Sequence, residues 1–115
     1  MIKLGDFMDI RSIEKMRGGD GVIIQKLLLD DKDKNKHIKL YALMTIKENC
    51  SIGEHQHIKE TEYYYILSGK GEVLEKDGVR AVKPGDLVIT GDQESHAIRN
   101  TGKEDLVFTA LIVLD

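Results

Sequence analysis

The segment from Gly53 to Gly71 constrains this chain most, because it places two histidines and a glutamate in strand-forming sequence. His55 and His57 are two residues apart, so in an extended strand both imidazole rings point to the same face. Glu62 begins a second run, rich in aromatic and apolar residues, that ends at glycines able to turn sharply. Two hairpinned strands would bring two imidazoles and one carboxylate to one point. A divalent metal ion is the commonest reason for that arrangement.

Short strand-like runs separated by turns account for most of the remaining chain. Between Ile38 and Ile46 the even-numbered residues are all apolar, which is typical of a strand with one face in a core. Turn residues such as Asp77-Gly78 and Pro84-Gly85 separate the later runs. About eight to ten strands and almost no helix are predicted, so the chain should form an antiparallel sandwich or barrel. Besides the strand that carries His55 and His57, the predicted strands are 22–29, 38–46, 62–67, 71–75, 79–82, 87–90, 95–100 and 106–114.

The spacing of the metal-type residues resembles the first sequence motif of the cupin family. That motif is matched by His55-x-His57, then four residues, Glu62, six residues and Gly69. The second motif is matched in part further along the chain, at Gly85, His96 and Asn100.

The second motif departs from the family pattern in the turn before His96. Gly91 stands where the family has proline, and Gln93 stands where it has a second glycine. These two departures concern the shape of the turn and leave the metal-ligand position intact. Together the two motifs and the residues between them cover about half the chain.

The resemblance implies an all-β fold, a double-stranded β-helix or jelly-roll cupin barrel in a single domain. It also implies that one divalent transition metal ion per chain, one of Mn, Fe, Co, Ni, Cu or Zn, is held by His55, His57, Glu62 and His96. Glu60 is a rival carboxylate on the same strand face as Glu62, and only the family spacing prefers Glu62.

The resemblance leaves three functional hypotheses open. The first is a dioxygenase-like enzyme acting on a small organic molecule, in which Glu62 could leave the metal and act as a catalytic base. The second is a non-oxidative isomerase, epimerase or lyase acting on a sugar-like substrate. The third is a small-molecule-binding protein without catalysis.

Composition and charge exclude other classes of function. The net charge of −3 comes from interspersed charges of both signs, which argues against a nucleic-acid partner. No apolar run approaches the ~20 residues that span a bilayer. The amino terminus does not have the layout of a signal peptide, and the single cysteine, Cys50, suits a reducing compartment. We therefore expect a cytoplasmic protein without a membrane partner.

Two regions outside the motifs carry further expectations. Residues 1–21 are predicted to form a strap, with a short helical turn through Ile10, Ile13 and Met16, that packs on a barrel formed by residues 22–115. Residues 22–29 and 106–114 are apolar on both faces, although one barrel has only one interior. The second apolar face of each strand must therefore be covered by the strap or by another chain. Because a short strap can hardly cover both strands, we expect a homodimer.

Several single residues complete the predictions. Of the three consecutive tyrosines, Tyr64 alone should share the side of the metal. His37 is expected on the surface, and Cys50 is expected in a structural role or, alternatively, in a pocket-lining or redox-sensitive role. A small apolar pocket would favour a neutral or aromatic substrate over a polyanion. Its expected lining residues are Met44, Ile46, Ile66, Ile98 and Phe108.

Overall fold

The computed structural model describes residues 1–115, which form ten strands and two short 3-10 helices. The helices, Gly5–Phe7 and Met16–Gly18, flank the first strand, and no helix is long and apolar enough to cross a membrane. The strands are β1 (Ile10–Glu14), β2 (Val22–Leu27), β3 (Ile38–Ile46), β4 (Ser51–Gln56), β5 (Glu60–Ser68), β6 (Gly71–Glu75), β7 (Gly78–Val82), β8 (Leu87–Thr90), β9 (Ser95–Asn100) and β10 (Leu106–Leu114).

The strands form two antiparallel sheets. One has six strands in the order β1-β2-β3-β10-β5-β8, and the other has four in the order β4-β9-β6-β7. Most neighbours in each sheet are distant in sequence, as in a jelly roll. The all-β, single-domain jelly-roll prediction is therefore confirmed, and ten strands lie within the predicted number.

The core lies between the two sheets and follows the alternation of each strand. On β10 the residues Leu106, Phe108 and Ala110 are buried, whereas Val107 and Leu111 on the other face are only half-buried. The same period-two pattern buries the second half of β3. Alternation therefore decides which apolar side chains fill the barrel and which remain on its outer surface.

The helical turn predicted near the amino terminus is wrong. Ile10–Glu14 forms β1 instead and pairs with β2 over its whole length, from the Ile10–Lys26 pair to the Glu14–Val22 pair. Apolar residues three positions apart fit a helical turn. As a strand, however, the same segment forms five residue pairs with the edge of β2. The 3-10 helix Met16–Gly18, which follows β1, then packs against β4.

The turn before β9 is a tight turn over residues 91–94 that joins β8 in one sheet to β9 in the other. Asp92 and Gln93 both have positive φ angles, of 51° and 66°, and the amide of Glu94 donates to the carbonyl of Gly91 at 2.9 Å. Two positive φ angles in succession are typical of a type I′ turn, which favours glycine at the second position. The departure at Gln93 therefore places a residue with a Cβ in a left-handed conformation.

Replacing Gln93 by glycine is expected to stabilise the fold. The side chain of Gln93 is exposed, and the left-handed conformation costs a non-glycine residue roughly 1–2 kcal/mol. Part of that gain is offset by the greater chain entropy of glycine in the unfolded state. We expect the free energy of unfolding to rise by about 0.5–1 kcal/mol in urea titrations. Glu94→Gly is the control, since Glu94 has no positive φ, and it should not stabilise the protein.

Candidate metal centre

Both sheets contribute side chains to one cluster at an end of the barrel. His55 on β4 and His96 on β9 come from the four-stranded sheet, and Glu62 on β5 comes from the six-stranded sheet. His57 lies just beyond the end of β4. One potential ligand atom from each of the four residues lies within 4.8 Å of the others. The structure thus brings together all four residues that the sequence analysis selected.

A β-bulge in β4 aims His55 into the barrel. Ile52 pairs with Ile98 and His55 pairs with His96, so Gly53 and Glu54 on β4 together oppose the single residue Ala97 on β9. In a regular strand Ile52 and His55, three positions apart, would point to opposite faces, and the bulge brings them to the same face. At the bulge Gly53 packs closely against the backbone of Arg17, where a Cβ would clash with the Arg17 carbonyl oxygen.

The four ligand atoms are unusually close together. The Nε2 atom of His96 lies 3.1 Å from Nε2 of His57 and 3.0 Å from Nε2 of His55. The Oε1 atom of Glu62 is 2.9 Å from Nε2 of both His57 and His96, and 3.6 Å from that of His55. The four side chains are almost completely buried, since the most accessible, His55, is 9% exposed.

The other ring nitrogen of each histidine contacts an oxygen outside the cluster. His55 Nδ1 lies 2.8 Å from the Gly53 carbonyl oxygen, which is supplied by the bulge itself. His57 Nδ1 lies 2.6 Å from Glu60 Oε2. His96 Nδ1 lies 2.7 Å from the hydroxyl of buried Thr90 on β8. The Gly53 carbonyl and the Glu60 carboxylate can only accept, so they assign the ring proton of neutral His55 and His57 to Nδ1, while the Thr90 hydroxyl, which can donate or accept, permits the same tautomer in His96. In that tautomer each Nε2 presents its lone pair to the cluster.

The donor set fits a transition metal ion. Three lone pairs and one carboxylate oxygen facing one another at about 3 Å repel unless a cation lies among them. Metal–ligand distances are about 2.0–2.2 Å for nitrogen and oxygen. Two such atoms at right angles around one ion are about 3 Å apart, close to the separations found here. His55, His57, Glu62 and His96 would hold the ion, which would supply an electrophilic centre.

The shared contacts change the proton affinities of the cluster. Burial opposes ionisation of Glu62, but hydrogen bonds with His55, His57 and His96 outweigh it and hold the pKa of that carboxyl well below its usual range. Burial lowers the pKa of His96, and contacts with Glu62 only partly compensate.

The ring of His57 shifts in the opposite direction from that of His96. Burial lowers the pKa of His57, but hydrogen bonds with Glu62 and Glu60 overcome this effect and raise the pKa above its usual value. A proton therefore competes with a metal ion more strongly at His57 than at His96.

The structure distinguishes the two rival carboxylates. Both are buried, as their shared strand face predicts, but Glu62 enters the cluster and Glu60 lies behind His57. Tyr64 is also buried on this face, and its ring stacks on His96 with centroids 4.8 Å apart and planes at 15°. The contacts of Thr90 and Glu60 with the ring nitrogens were missed by the sequence analysis, because no spacing rule connects them to the histidines.

The expected apolar pocket lining proves to be packed core. All five residues are no more than 1% exposed and fill the space between the sheets: Met44, Ile46, Ile66, Ile98 and Phe108. His37 is exposed in the loop before β3, as predicted. Cys50 is half-buried, packs against the core, and donates a weak hydrogen bond to the Glu48 carbonyl at 3.5 Å.

Comparison with known proteins agrees with this geometry. The family description "Cupin domain" matches residues 42–113, which include all four cluster residues. The chain belongs to the cupin family. This relationship confirms the resemblance that the two motifs indicate, and it extends over most of the barrel.

Several cupins of known sequence or structure are similar to this chain. The oxalate-binding protein of Thermotoga maritima is 38% identical over 98% of this chain and 99% of its own length. A crystal structure of a predicted oxalate decarboxylase from Thermotoga maritima covers all of both chains at 36% identity, with a TM-score of 0.94. A putative sugar phosphate isomerase from Acidithiobacillus ferrooxidans is 30% identical over 80% of this chain and 59% of its own, with a TM-score of 0.70.

Metal affinity is expected to depend on pH through His57. Its raised pKa means that the ring is still protonated at and somewhat above the usual value of about 6.5. A metal ion must displace that proton, so affinity should fall about tenfold per pH unit as pH decreases through this range. Glu62, with its lowered pKa, contributes no competing proton there.

The measurement is a metal titration by calorimetry between pH 5.5 and 8.5, in two buffers of different protonation enthalpy. The buffer difference gives the number of protons released per ion. Constant affinity across this range, with no proton release at pH 6.5, would contradict the assignment of histidine ligands.

Proposed function

We propose that this protein is a metal-dependent cupin that binds one divalent transition metal ion per chain through His55, His57, Glu62 and His96. The observation that carries the proposal is the convergence of four buried side chains whose ligand atoms lie within 4.8 Å of one another, with every Nδ1 atom engaged elsewhere. We further propose that the bound ion takes a small dicarboxylate, such as oxalate, as its ligand.

The chemistry of the donor set supports an anionic chelating ligand. Three neutral imidazoles and one carboxylate leave a divalent ion with one net positive charge. Six-coordinate ions held by four protein atoms also have two positions left, and oxalate can occupy both. The name of the 38% identical relative, an oxalate-binding protein, supports the same ligand.

A dicarboxylate differs from the neutral or aromatic substrate expected from the sequence. That expectation depended on an apolar cavity, whereas the apolar residues in question are packed core. With the cavity argument removed, the charge of the metal centre becomes the dominant property of the site. Opposite charges attract more strongly in a buried site than in water, because the effective dielectric constant is lower.

The central experiment measures metal content and then oxalate binding. Elemental analysis after reconstitution with Mn²⁺ should give one ion per chain, and calorimetry should then detect oxalate binding to the loaded protein. His96→Ala should abolish both signals because it removes one of four ligands. His37→Ala is the matched control and should retain them, since His37 lies on the surface.

A comparison of oxalate with a monocarboxylate distinguishes chelation of the metal ion from general binding of anions. Acetate, with one carboxylate, should bind at least about tenfold more weakly than oxalate, which corresponds to 1.4 kcal/mol. Oxalate that binds equally well to the metal-free protein would contradict the proposal. A protein that takes up no metal ion would contradict the site assignment itself.

Turnover experiments address catalysis, for which Glu62 remains the predicted base. Its Oε1 atom contacts the ring nitrogens of the cluster, so a role as base would require its release from the ion. Consumption of oxalate under air but not under argon would support a dioxygenase-like reaction. Equal consumption under both gases would support a non-oxidative reaction, and binding without consumption would identify a binding protein.

We also propose that the protein is a cytoplasmic homodimer. The outer face of the six-stranded sheet carries neighbouring exposed apolar residues: Tyr41, Tyr65, Leu67, Leu87 and Ile89. Tyr65 pairs with Leu87, and half-buried Leu111 lies between Tyr41 and Tyr63. Contiguous apolar surface of this kind favours an interface, and two-fold pairing of identical chains is its commonest use. The single unpaired Cys50 suits a reducing compartment.

Sedimentation equilibrium at micromolar concentration should report about twice the mass of 13.0 kDa. Tyr65→Lys should shift the protein towards monomer, because it places a charge within the apolar outer face. Leu74→Lys is the matched control: Leu74 is similarly exposed, at 40% against 45% for Tyr65, but lies on the other sheet. A wild-type monomer, or equal effects of both changes, would contradict the proposed interface.

A further inference from the structure

Glu60 forms a buried contact that the metal cluster alone does not require. Its carboxylate is almost fully buried, with Oε2 2.6 Å from His57 Nδ1 and Oε1 2.7 Å from Lys39 Nζ. Lys39 is half-exposed on β3, so the carboxylate of Glu60 lies between His57 and a lysine at the protein surface. Each oxygen of the carboxylate therefore has its own donor, one charged and one from an imidazole ring.

His57 needs a side-chain support more than the other two histidines do. His55 and His96 face each other as a paired position of β4 and β9. His57 lies beyond the end of β4, where one backbone bond, from its amide to the Glu94 carbonyl at 3.0 Å, holds it. The ring orientation of His57 therefore depends on its Nδ1 contact.

The partner of His57 is also the strongest acceptor of the three. His55 has a neutral carbonyl oxygen and His96 has a hydroxyl, whereas His57 has a carboxylate. Hydrogen bonds to a charged acceptor are shorter and about twice as strong as those between neutral groups. A hydroxyl can also donate, but a carboxylate can only accept, so Glu60 permits a single neutral tautomer of His57.

We propose that Glu60, held in place by Lys39, is a positioning residue that keeps the His57 proton on Nδ1 and its Nε2 lone pair directed at the metal position. This inference rests on the metal binding proposed above, but not on the identity of the ligand. It assigns Glu60 a function different from the one considered in the sequence analysis, where it competed with Glu62 for the metal.

Fold stability alone does not account for the pair. Burying a carboxylate costs free energy that an ion pair with a half-exposed lysine recovers only in part. The second oxygen atom of Glu60 would also lack a partner if His57 were absent. Glu60 and Lys39 together add no net charge, so they can orient His57 without weakening the attraction of the metal for an anion.

The test begins with metal affinity, measured for Zn²⁺ in competition with a chromophoric chelator. Glu60→Ala should weaken Zn²⁺ binding about 10–100-fold, as loss of such partners of metal-bound histidines typically does. Glu60→Gln should recover most of this loss, because its amide oxygen still accepts from Nδ1–H. Lys39→Met should have a smaller effect than Glu60→Ala, since the contact of Glu60 with His57 remains.

Asp105→Ala provides the matched control. Asp105 forms an ion pair with Lys47 at 3.3 Å, but both residues are exposed and distant from the cluster in the fold. Its removal should leave the Zn²⁺ affinity unchanged. Thermal unfolding of each metal-free variant shows whether Glu60→Ala folds, and Glu60→Gln and Lys39→Met keep the test valid if it does not.

A second measurement reads the tautomer directly. Nitrogen-15 chemical shifts of the His57 ring in the metal-free protein at pH 9 should show the Nδ1–H tautomer in the wild type and in Glu60→Gln. In Glu60→Ala, or in Glu60→Leu if the alanine variant unfolds, the Nε2–H tautomer should appear. A wild-type Nε2–H ring, or a tautomer that does not respond to Glu60, would overturn the inference.

The two measurements also separate this inference from the proposed function. Failure of the wild type to bind metal would contradict the metal site, while the tautomer could still be measured. Normal metal binding by Glu60→Ala would leave the metal site intact and overturn the positioning role.

Discussion

The crowding of four acceptor atoms at the end of the barrel is the constraint on which the rest of the site depends. Three ring nitrogens and one carboxylate oxygen lie within 4.8 Å of one another, four of their separations are between 2.9 and 3.1 Å, and their lone pairs repel one another. Such an arrangement is stable only when each ring is held from behind and a positive charge can enter the centre. Gly53, Glu60 and Thr90 provide the contacts from behind. A proton or a metal ion provides the charge.

The position of the cluster between two sheets would link the binding of a metal ion to the stability of the fold. Glu62 is on the six-stranded sheet, whereas His55 and His96 are on the other, so a bound ion would join them. An ion that binds only the folded chain stabilises it by mass action, by about 2.7 kcal/mol at a concentration one hundred times the dissociation constant. The strand that carries His96 pairs with β4, so the site is complete only after distant segments have assembled.

Strand alternation and motif spacing predicted most of the fold and the four cluster residues. Alternation placed His55 with His57 and Glu62 with Tyr64, and the second motif supplied His96. Alternation could not separate Glu60 from Glu62, since both are on one face. The helical turn near the amino terminus failed because a few apolar residues fit two periods. Contacts between the side chains of different strands, such as that of Thr90 with His96, depend on tertiary structure and leave no pattern in the sequence.

The bulge in β4 connects the amino-terminal segment to the metal centre. Gly53 directs His55 inward, and its carbonyl oxygen accepts a hydrogen bond from the His55 ring. The backbone of Gly53 in turn packs closely against the backbone of Arg17 and Gly19, which lie in the loop that follows β1. That loop has left-handed residues, including Arg17 at φ 54°, so its shape is specific. The first twenty residues thus act as a scaffold for a ligand more than thirty-five positions away in the chain. A substitution that changes the backbone at Arg17 or Gly19 would therefore displace Gly53 and, through it, the ring of His55.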